Sequence, residues 1–208
     1  MIDIPLETKQ IILVTTPSWE SCQGKLYQYE RSSTGEWVLQ KPSIPVVVGK
    51  NGMAWGLGLH TNPAGPVKRE GDGKSPSGVF TLGPAFGHHP FQTKMDFFSL
   101  NSDIEAVDDP SSRYYNQIVD RQKISAIDWT SSEKMGEISL YELGLVIHHN
   151  WETPVPGAGS AIFMHLWRDE VSGTAGCTAM SHQNLSELLQ WLDPQKKPLL
   201  IQVPQHEI

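Results

Sequence analysis

The chain is poor in cysteine: Cys22 and Cys177 are the only two in 208 residues, too few for a disulfide framework to carry the fold. Pairing them in an oxidising compartment would consume the one thiol with catalytic surroundings. Cys22, in the polar turn 17–24, is therefore read as incidental. A basic excess is also missing. With 16 Lys+Arg against 23 Asp+Glu the formal net charge is −7, which argues against a nucleic-acid phosphate backbone as partner. No apolar run approaches the roughly 20 residues that cross a bilayer, so no membrane-spanning segment is expected. The amino terminus, Met-Ile-Asp-Ile-Pro, has no basic segment followed by an apolar stretch, and no secretory signal is visible. Phosphate-loop spacing, His-Glu-x-x-His and Cys-x-x-Cys are all absent. His88-His89 and His148-His149 are adjacent pairs. On a strand such neighbours face opposite ways, so neither pair supplies two ligands to one ion. No cofactor is implied, and a metal is left only the route of ligands from distant segments.

What is present suits a mainly β fold. Apolar residues make up 38% of the chain, enough for a core, and 15 prolines with 18 glycines imply many turns between short apolar runs. Residues 11–16, 25–30, 37–40 and 44–49 read as the strands of a first sheet. In the second, Leu26 faces away from Tyr27 and Tyr29, leaving one solvated face. The fourth is entered at an edge, since Pro45 donates no ladder hydrogen bond. Residues 51–87 read as a long loop, rich in glycine and proline, with Lys68, Arg69, Asp72 and Lys74 on a solvated face. Residues 143–150 read as a strand beside the one bearing His165, and 199–203 as the closing strand. In 181–194, Leu185, Leu188, Leu189 and Leu192 repeat at helical spacing, Ser181 caps the start and Pro194 marks the stop. The helix begins a few residues beyond Cys177, where its positive end would favour a thiolate.

Function is most legible in residues 162–181, where an apolar run bearing His165 is followed by a glycine-bearing turn that delivers Cys177 among small residues. A lone cysteine is most often a small buried hydrophobe and a lone histidine a packed one. Their proximity changes the reading. If 161–167 is a strand, Phe163, His165 and Trp167 share a face, and the imidazole lies between two aromatic rings that desolvate it and keep it neutral. A neutral imidazole that takes the thiol proton makes Cys177 a nucleophile, and small neighbours admit a carbonyl substrate to the sulfur and nearby N–H groups. The pattern asks for acyl transfer.

These residues resemble the catalytic signature of the L,D-transpeptidases, a histidine followed at a distance by Ser/Thr-His-Gly-Cys. His165, Thr174, Gly176 and Cys177 match it, while Ala175 stands in the place of the second histidine and Ala179 in the place of a following polar residue. Residues 55–60, 70–80 and 114–116 (Tyr-Tyr-Asn) are similar to one branch of that family, and the resemblance spans about 45–203. It implies an L,D-transpeptidase-like β-sandwich or barrel with long loops and one or a few helices. The whole of 1–208 would form one catalytic domain, with strands 11–40 part of it or a short extension.

The resemblance further implies that His165 deprotonates Cys177 and the thiolate attacks an amide carbonyl of a peptidoglycan stem peptide. Backbone N–H groups about Gly176 and Cys177 would hold the oxyanion, and a thioester would pass to an amine or to water. Hydrolytic L,D-carboxypeptidase or endopeptidase action, a cysteine amidase, and a catalytically silent wall-binding domain are the alternatives. Thr174, His148, His149 and Tyr115 are expected to line the substrate site. Arg168 or Arg69 would grip a substrate carboxylate where Ala179 has no polar group. Arg168 serves only if its strand has ended and the chain turns at Asp169. The implied setting is periplasmic or extracytoplasmic in bacteria. The oligomeric state is left open.

Overall fold

A computed structural model describes residues 4–61 and 64–207; residues 1–3, on which the reading of the amino terminus partly rests, lie outside them. Among the described residues, fourteen strands and one α-helix follow in chain order: β1 (Gln10–Thr16), β2 (Gln23–Arg31), β3 (Trp37–Leu39), β4 (Ile44–Val47), β5 (Met53–Trp55), β6 (Ser75–Gly87), β7 (Phe97–Ser99), β8 (Ile104–Val107), β9 (Ile118–Asp120), β10 (Ser132–Lys134), β11 (Leu143–Ile147), β12 (Phe163–Leu166), β13 (Thr178–Met180), α1 (His182–Trp191) and β14 (Leu199–Pro204). Strands hold 36% of the residues against 12% helical, so the chain is mainly β.

The large sheet runs β1-β14-β6-β11-β12-β13-β4-β2-β3, and a further β1–β2 pairing closes it into a barrel. Closure removes the sheet edges that would otherwise stay unpaired. Its seams are unequal. β1 pairs with β14 and with β2 along six residues each, whereas β13 meets β4 only at Ala179 and Val47. A second sheet, β10-β8-β9, is not hydrogen-bonded into the barrel but packs against it through Ala106.

The strand readings at 11–16, 25–30, 37–40, 44–49, 143–150 and 199–203 correspond to β1, β2, β3, β4, β11 and β14. Leu26 and Gln28 of β2 are buried while Tyr27 and Tyr29 are half-buried, the facing expected from alternation. Pro45 does not mark a sheet edge. β4 lies between β2 and β13, and Pro45 is tolerated because the β13 side is bridged only at Val47.

The reading of 51–87 as loop is corrected: it holds β5 and the 13-residue β6, which pairs with β14, β11, β5 and β7. Its glycines reflect close approach of neighbours rather than turns. Gly78 has φ +138, and a Cβ there would fall 1.8 Å from the His60 ring. The charges at 68–74 do not all face water either. Lys68 is buried, with Nζ 2.7 Å from Asp72 Oδ1.

Two apolar clusters meet at the wall formed by β11 and β12. One gathers Ile12, Val14, Val46, Phe80, Leu145 and Met164 with Met180 and the helix residues Leu185, Leu188, Leu189 and Leu192. The other gathers Phe86, Val146, Phe163 and Cys177 with Ala106 of β8, Met135 and Tyr141. α1 starts at Ser181, whose Oγ accepts from the Asn184 N–H at 3.2 Å, and its leucine stripe packs on the first cluster. No helix among the described residues is long and apolar enough to cross a membrane.

Candidate active site

β12 and β13 are adjacent and parallel, with Met164 opposite Thr178, His165 opposite Ala179 and Leu166 opposite Met180. In this register Cys177, one residue before β13, stands level with Phe163. Two-residue alternation then turns Phe163, His165, Cys177 and Ala179 to one face. The expected pair thus shares a face of neighbouring strands, one pleat apart, and both residues are 6% exposed.

The second ring beside His165 is not Trp167. β12 ends at Leu166, and Trp167 turns onto the opposite cluster while its N–H donates to Met180 O at 3.0 Å. Tyr141 takes that place, its ring 5.2 Å from the imidazole in an edge arrangement and 5.6 Å from Phe163. Burial lowers the His165 pKa to about 4. Leu166 O lies 2.7 Å from Nδ1. A carbonyl only accepts, so Nδ1 carries the proton and the lone pair sits on Nε2.

The thiol is held on two sides. Phe163 N–H donates to Sγ and the thiol donates to Ala161 O, each at 3.4 Å. Burial pushes its pKa up to about 12, and the nearby Glu133 carboxyl adds to that rise. The Phe163 N–H, the Lys68 charge and the Tyr141 hydroxyl act the other way. At neutral pH the resting pair is therefore thiol and imidazole, both uncharged. The α1 amino terminus does not assist the sulfur. Cys177 precedes β13 and the helix follows it, at the far end of the strand and against the other cluster.

The turn before Cys177 is braced by hydroxyls. Thr174 Oγ1 donates to Cys177 O at 2.6 Å and accepts from the Gly176 N–H at 3.1 Å. Ser75 Oγ donates to Gly176 O at 2.7 Å and accepts from the Gly49 N–H at 2.8 Å. A Cβ at Gly176 would crowd Ile162 Cδ1 and Lys74 O, both at 3.2 Å. Thr174 and Gly176 thus shape the backbone that presents the sulfur.

The other side of the thiol depends on three non-glycine residues with positive φ: Asn116 (60°), Asn150 (53°) and Ala161 (52°). Such a conformation costs roughly 1–2 kcal/mol for an alanine. Asn116 offsets it by accepting from the Ala161 N–H at 3.0 Å while donating to His149 O and Asn150 O. Asn150 in turn bridges Val155 and Gly159. His149 belongs to this scaffold. It is 1% exposed, accepts from the Leu57 N–H at Nδ1 and donates from Nε2 to Ala158 O. Tyr115 is also buried, its hydroxyl bound to Glu70 and accepting from the Gly159 N–H.

His148 lies just beyond β11, bonded to Thr81 Oγ1 at 2.9 Å and stacked on Trp151 at 4.7 Å. Trp151 borders a cleft of about 340 Å³ with Asn116, Gln117, Ile118, Glu152 and Pro154. A second space beneath it, too tight to admit a water molecule, borders Ala161 and Phe163, whose backbone holds the thiol. Arg168 is exposed beyond the end of β12, where Asp169 turns the chain by accepting from the Val171 and Ser172 N–H groups. The condition for its recruitment is met. Arg69 is exposed in the loop before β6.

Sequence reading missed Tyr141 and Glu133. Tyr141 is buried, and its hydroxyl donates to Glu133 Oε2 at 2.5 Å. Glu133 belongs to β10 and Tyr141 to the turn before β11. Nothing in the spacing of a single glutamate and tyrosine announces a meeting across two sheets. Both cysteines are free thiols, and Cys22 Sγ lies 3.7 Å from Val171 O.

Comparison with known proteins adds one result. A family model described as the L,D-transpeptidase catalytic domain, YkuD, matches residues 24–201. No curated protein and no solved structure matches the chain. The matched span begins in β2, ends in β14 and takes in both strands that present His165 and Cys177, so over most of its length the chain belongs to the L,D-transpeptidase catalytic-domain family.

Proposed function

We propose that this protein is a cysteine acyltransferase acting on peptidoglycan stem peptides, with Cys177 as nucleophile and His165 as base. One observation carries the reading: the two side chains share a face of adjacent strands, and the Nδ1 contact to Leu166 O leaves Nε2 free to accept a proton. Because thiol and imidazole are both neutral at rest, the proton moves to Nε2 as sulfur attacks the amide carbonyl, not before. Collapse of the tetrahedral intermediate returns that proton to the departing amine and leaves a thioester. An amine from a second stem takes the acyl group in transpeptidation.

The oxyanion falls to the Cys177 N–H, since the Gly176 N–H already serves Thr174. The Trp151 cleft is the proposed side of substrate entry, reached once the packing between it and the thiol opens, and Arg168 is the proposed carboxylate clamp. Thr174, His148, His149 and Tyr115 contribute by holding the walls of the site. Residues 1–208 form one catalytic unit in this reading, placed outside the cytoplasm where peptidoglycan is built.

Burial of both groups is the observation that favours a second reading, a silent wall-binding domain. Incubation with purified muropeptides followed by mass measurement decides among the possibilities. Cross-linked dimers support transpeptidation; loss of a terminal residue or cleaved cross-links mean hydrolysis instead. Unchanged masses with retained binding overturn the enzymatic reading.

A further inference from the structure

The mismatch between a reluctant thiol and a weak buried base directs attention to the third polar group at the sulfur. Tyr141 lies beside the pair: its ring is edge-on to His165 at 5.2 Å, and it shares one buried cluster with Cys177. Its hydroxyl is 2.5 Å from Glu133 Oε2. In this arrangement the phenol proton goes to the carboxyl group, with the sulfur in the same packed cluster.

We propose that Tyr141 is a further catalytic residue, a hydrogen-bond donor to the Cys177 sulfur as it becomes negative, and that Glu133 is the positioning residue which withholds or releases that donor. The inference rests on the reading of Cys177 as nucleophile. With Glu133 ionised, the tyrosine O–H points to the carboxylate and the thiol faces an added negative charge. With Glu133 protonated, its own O–H donates to the Tyr141 oxygen and the tyrosine proton turns to the sulfur. The S–H proton still goes to His165 Nε2. No electron changes hands, and the state of Glu133 decides only whether the developing thiolate has one donor, the Phe163 N–H, or two.

The surroundings favour such a switch. Glu133 is faced by Tyr141, by Asp108 beyond β8 and by Glu70 from the loop before β6, and burial with these two acids raises its pKa. Cys177 is faced by Glu133, Tyr141, His165 and the Lys68 charge. Lys68 is already engaged by Asp72 at 2.7 Å, which leaves Glu133 as the charge through which the proposed switch acts on the thiol. Neutralising it permanently is expected to make the enzyme more reactive, the opposite of what losing an ordinary structural partner does.

The test reads the thiol directly, in a Cys22→Ala background so that one sulfur reports. Alkylation by iodoacetamide is followed from pH 5 to 9, with circular dichroism confirming the fold of each variant. Thiolate fraction sets the rate, so one unit of thiol pKa is about tenfold. Glu133→Gln is expected to raise the rate about tenfold at the alkaline end of the range, and Tyr141→Phe to lower it by a similar factor at the acid end, where the parent's tyrosine proton is free for the sulfur. The parent rate should climb by less than about tenfold per pH unit while Glu133 ionises, and Glu133→Gln should restore the full slope. A Glu133→Gln rate at or below the parent's, a faster Tyr141→Phe, or a full slope in the parent overturns the inference, and the last of these requires no variant to fold. Muropeptide turnover is scored separately. Inert muropeptides with the expected alkylation pattern remove the proposed reaction and leave the switch; the reverse removes the switch and leaves the reaction.

Discussion

The two faces of the wall formed by β11 and β12 differ in kind. On one side Met164, Leu145 and Met180 meet the leucines of α1, and His60 and His149 approach this cluster only at Phe80. On the other Phe163 and Phe86 surround His165, Cys177 and Tyr141. Both sides are buried, yet only the second holds the proposed nucleophile and base. One strand therefore serves stability with its even-numbered residues and reactivity with its odd-numbered ones. The polar face persists because the apolar face, fully packed, holds the backbone still.

That comparison breaks most sharply at the sulfur. Cys177→Ala is expected to abolish turnover on muropeptides, while Cys22→Ala, at a half-buried thiol outside both clusters, keeps it near the parent level. Equal losses would mean that the site has been misplaced. Next in size, His165→Ala should cost about 10²–10⁴ in kcat, as loss of a general base does. Near-parent kcat in the folded variant would move the base elsewhere on this face.

The opposite face should respond in stability alone. Leu188→Ala removes a fully buried side chain and is expected to cost about 2–5 kcal/mol in urea unfolding, with kcat per folded molecule unchanged. A kcat loss as large as that of His165→Ala would show that the faces are not separable.

Acid provides a subtler probe. His165 and His149 have folded pKa values near 4, below the unfolded value of about 6.5, so the unfolded chain binds the extra protons between those limits. Stability is then full above about pH 6.5, falls as pH drops toward 4, and loses nothing more from these groups below that. Each histidine should contribute a loss on the order of 2 kcal/mol between pH 7 and pH 5. Replacing His149 by asparagine should flatten its share of the slope, and an unchanged slope would contradict the burial argument. The smallest effect is expected at the rim: Arg168→Ala should raise KM severalfold at unchanged kcat, with Arg69→Ala close to the parent. Parent-like kinetics in both would assign the substrate carboxylate to backbone N–H groups.

Local patterns were readable wherever local physics decides. The leucine stripe of α1 and its Ser181 cap follow from helical spacing, and the alternation that separates His165 from Met164 follows from strand geometry. Strand β6 escaped because Gly78, Gly83 and Gly87 usually signal turns, whereas here neighbouring rings and backbone press too close for any side chain. Lys68 seemed solvated because nothing in a sequence says that a loop folds inward and buries its lysine against Asp72. Glu133 and Tyr141 were invisible for a related reason: their meeting depends on the small sheet docking against the barrel. The Asn116–Ala161 bond belongs to the same class, since 45 residues separate its ends.

Barrel closure has a consequence for when the surroundings of the thiol are assembled. Ile11 lies beside Leu199 in β1 and β14, so the ring shuts only when the first strand has waited for the last. Contacts so distant in sequence form late and slowly, because a long loop must be closed before they stabilise anything. The strand that follows Cys177 sits at the weakest seam, joined to β4 through Ala179 and Val47 alone. A growing chain would thus carry its thiol unarmed through synthesis, and any reactivity would appear with the final turn of the ring. A chain ending before Leu199 is expected to show neither a folded circular-dichroism spectrum nor accelerated alkylation at Cys177; finding either would mean that the site assembles without closure.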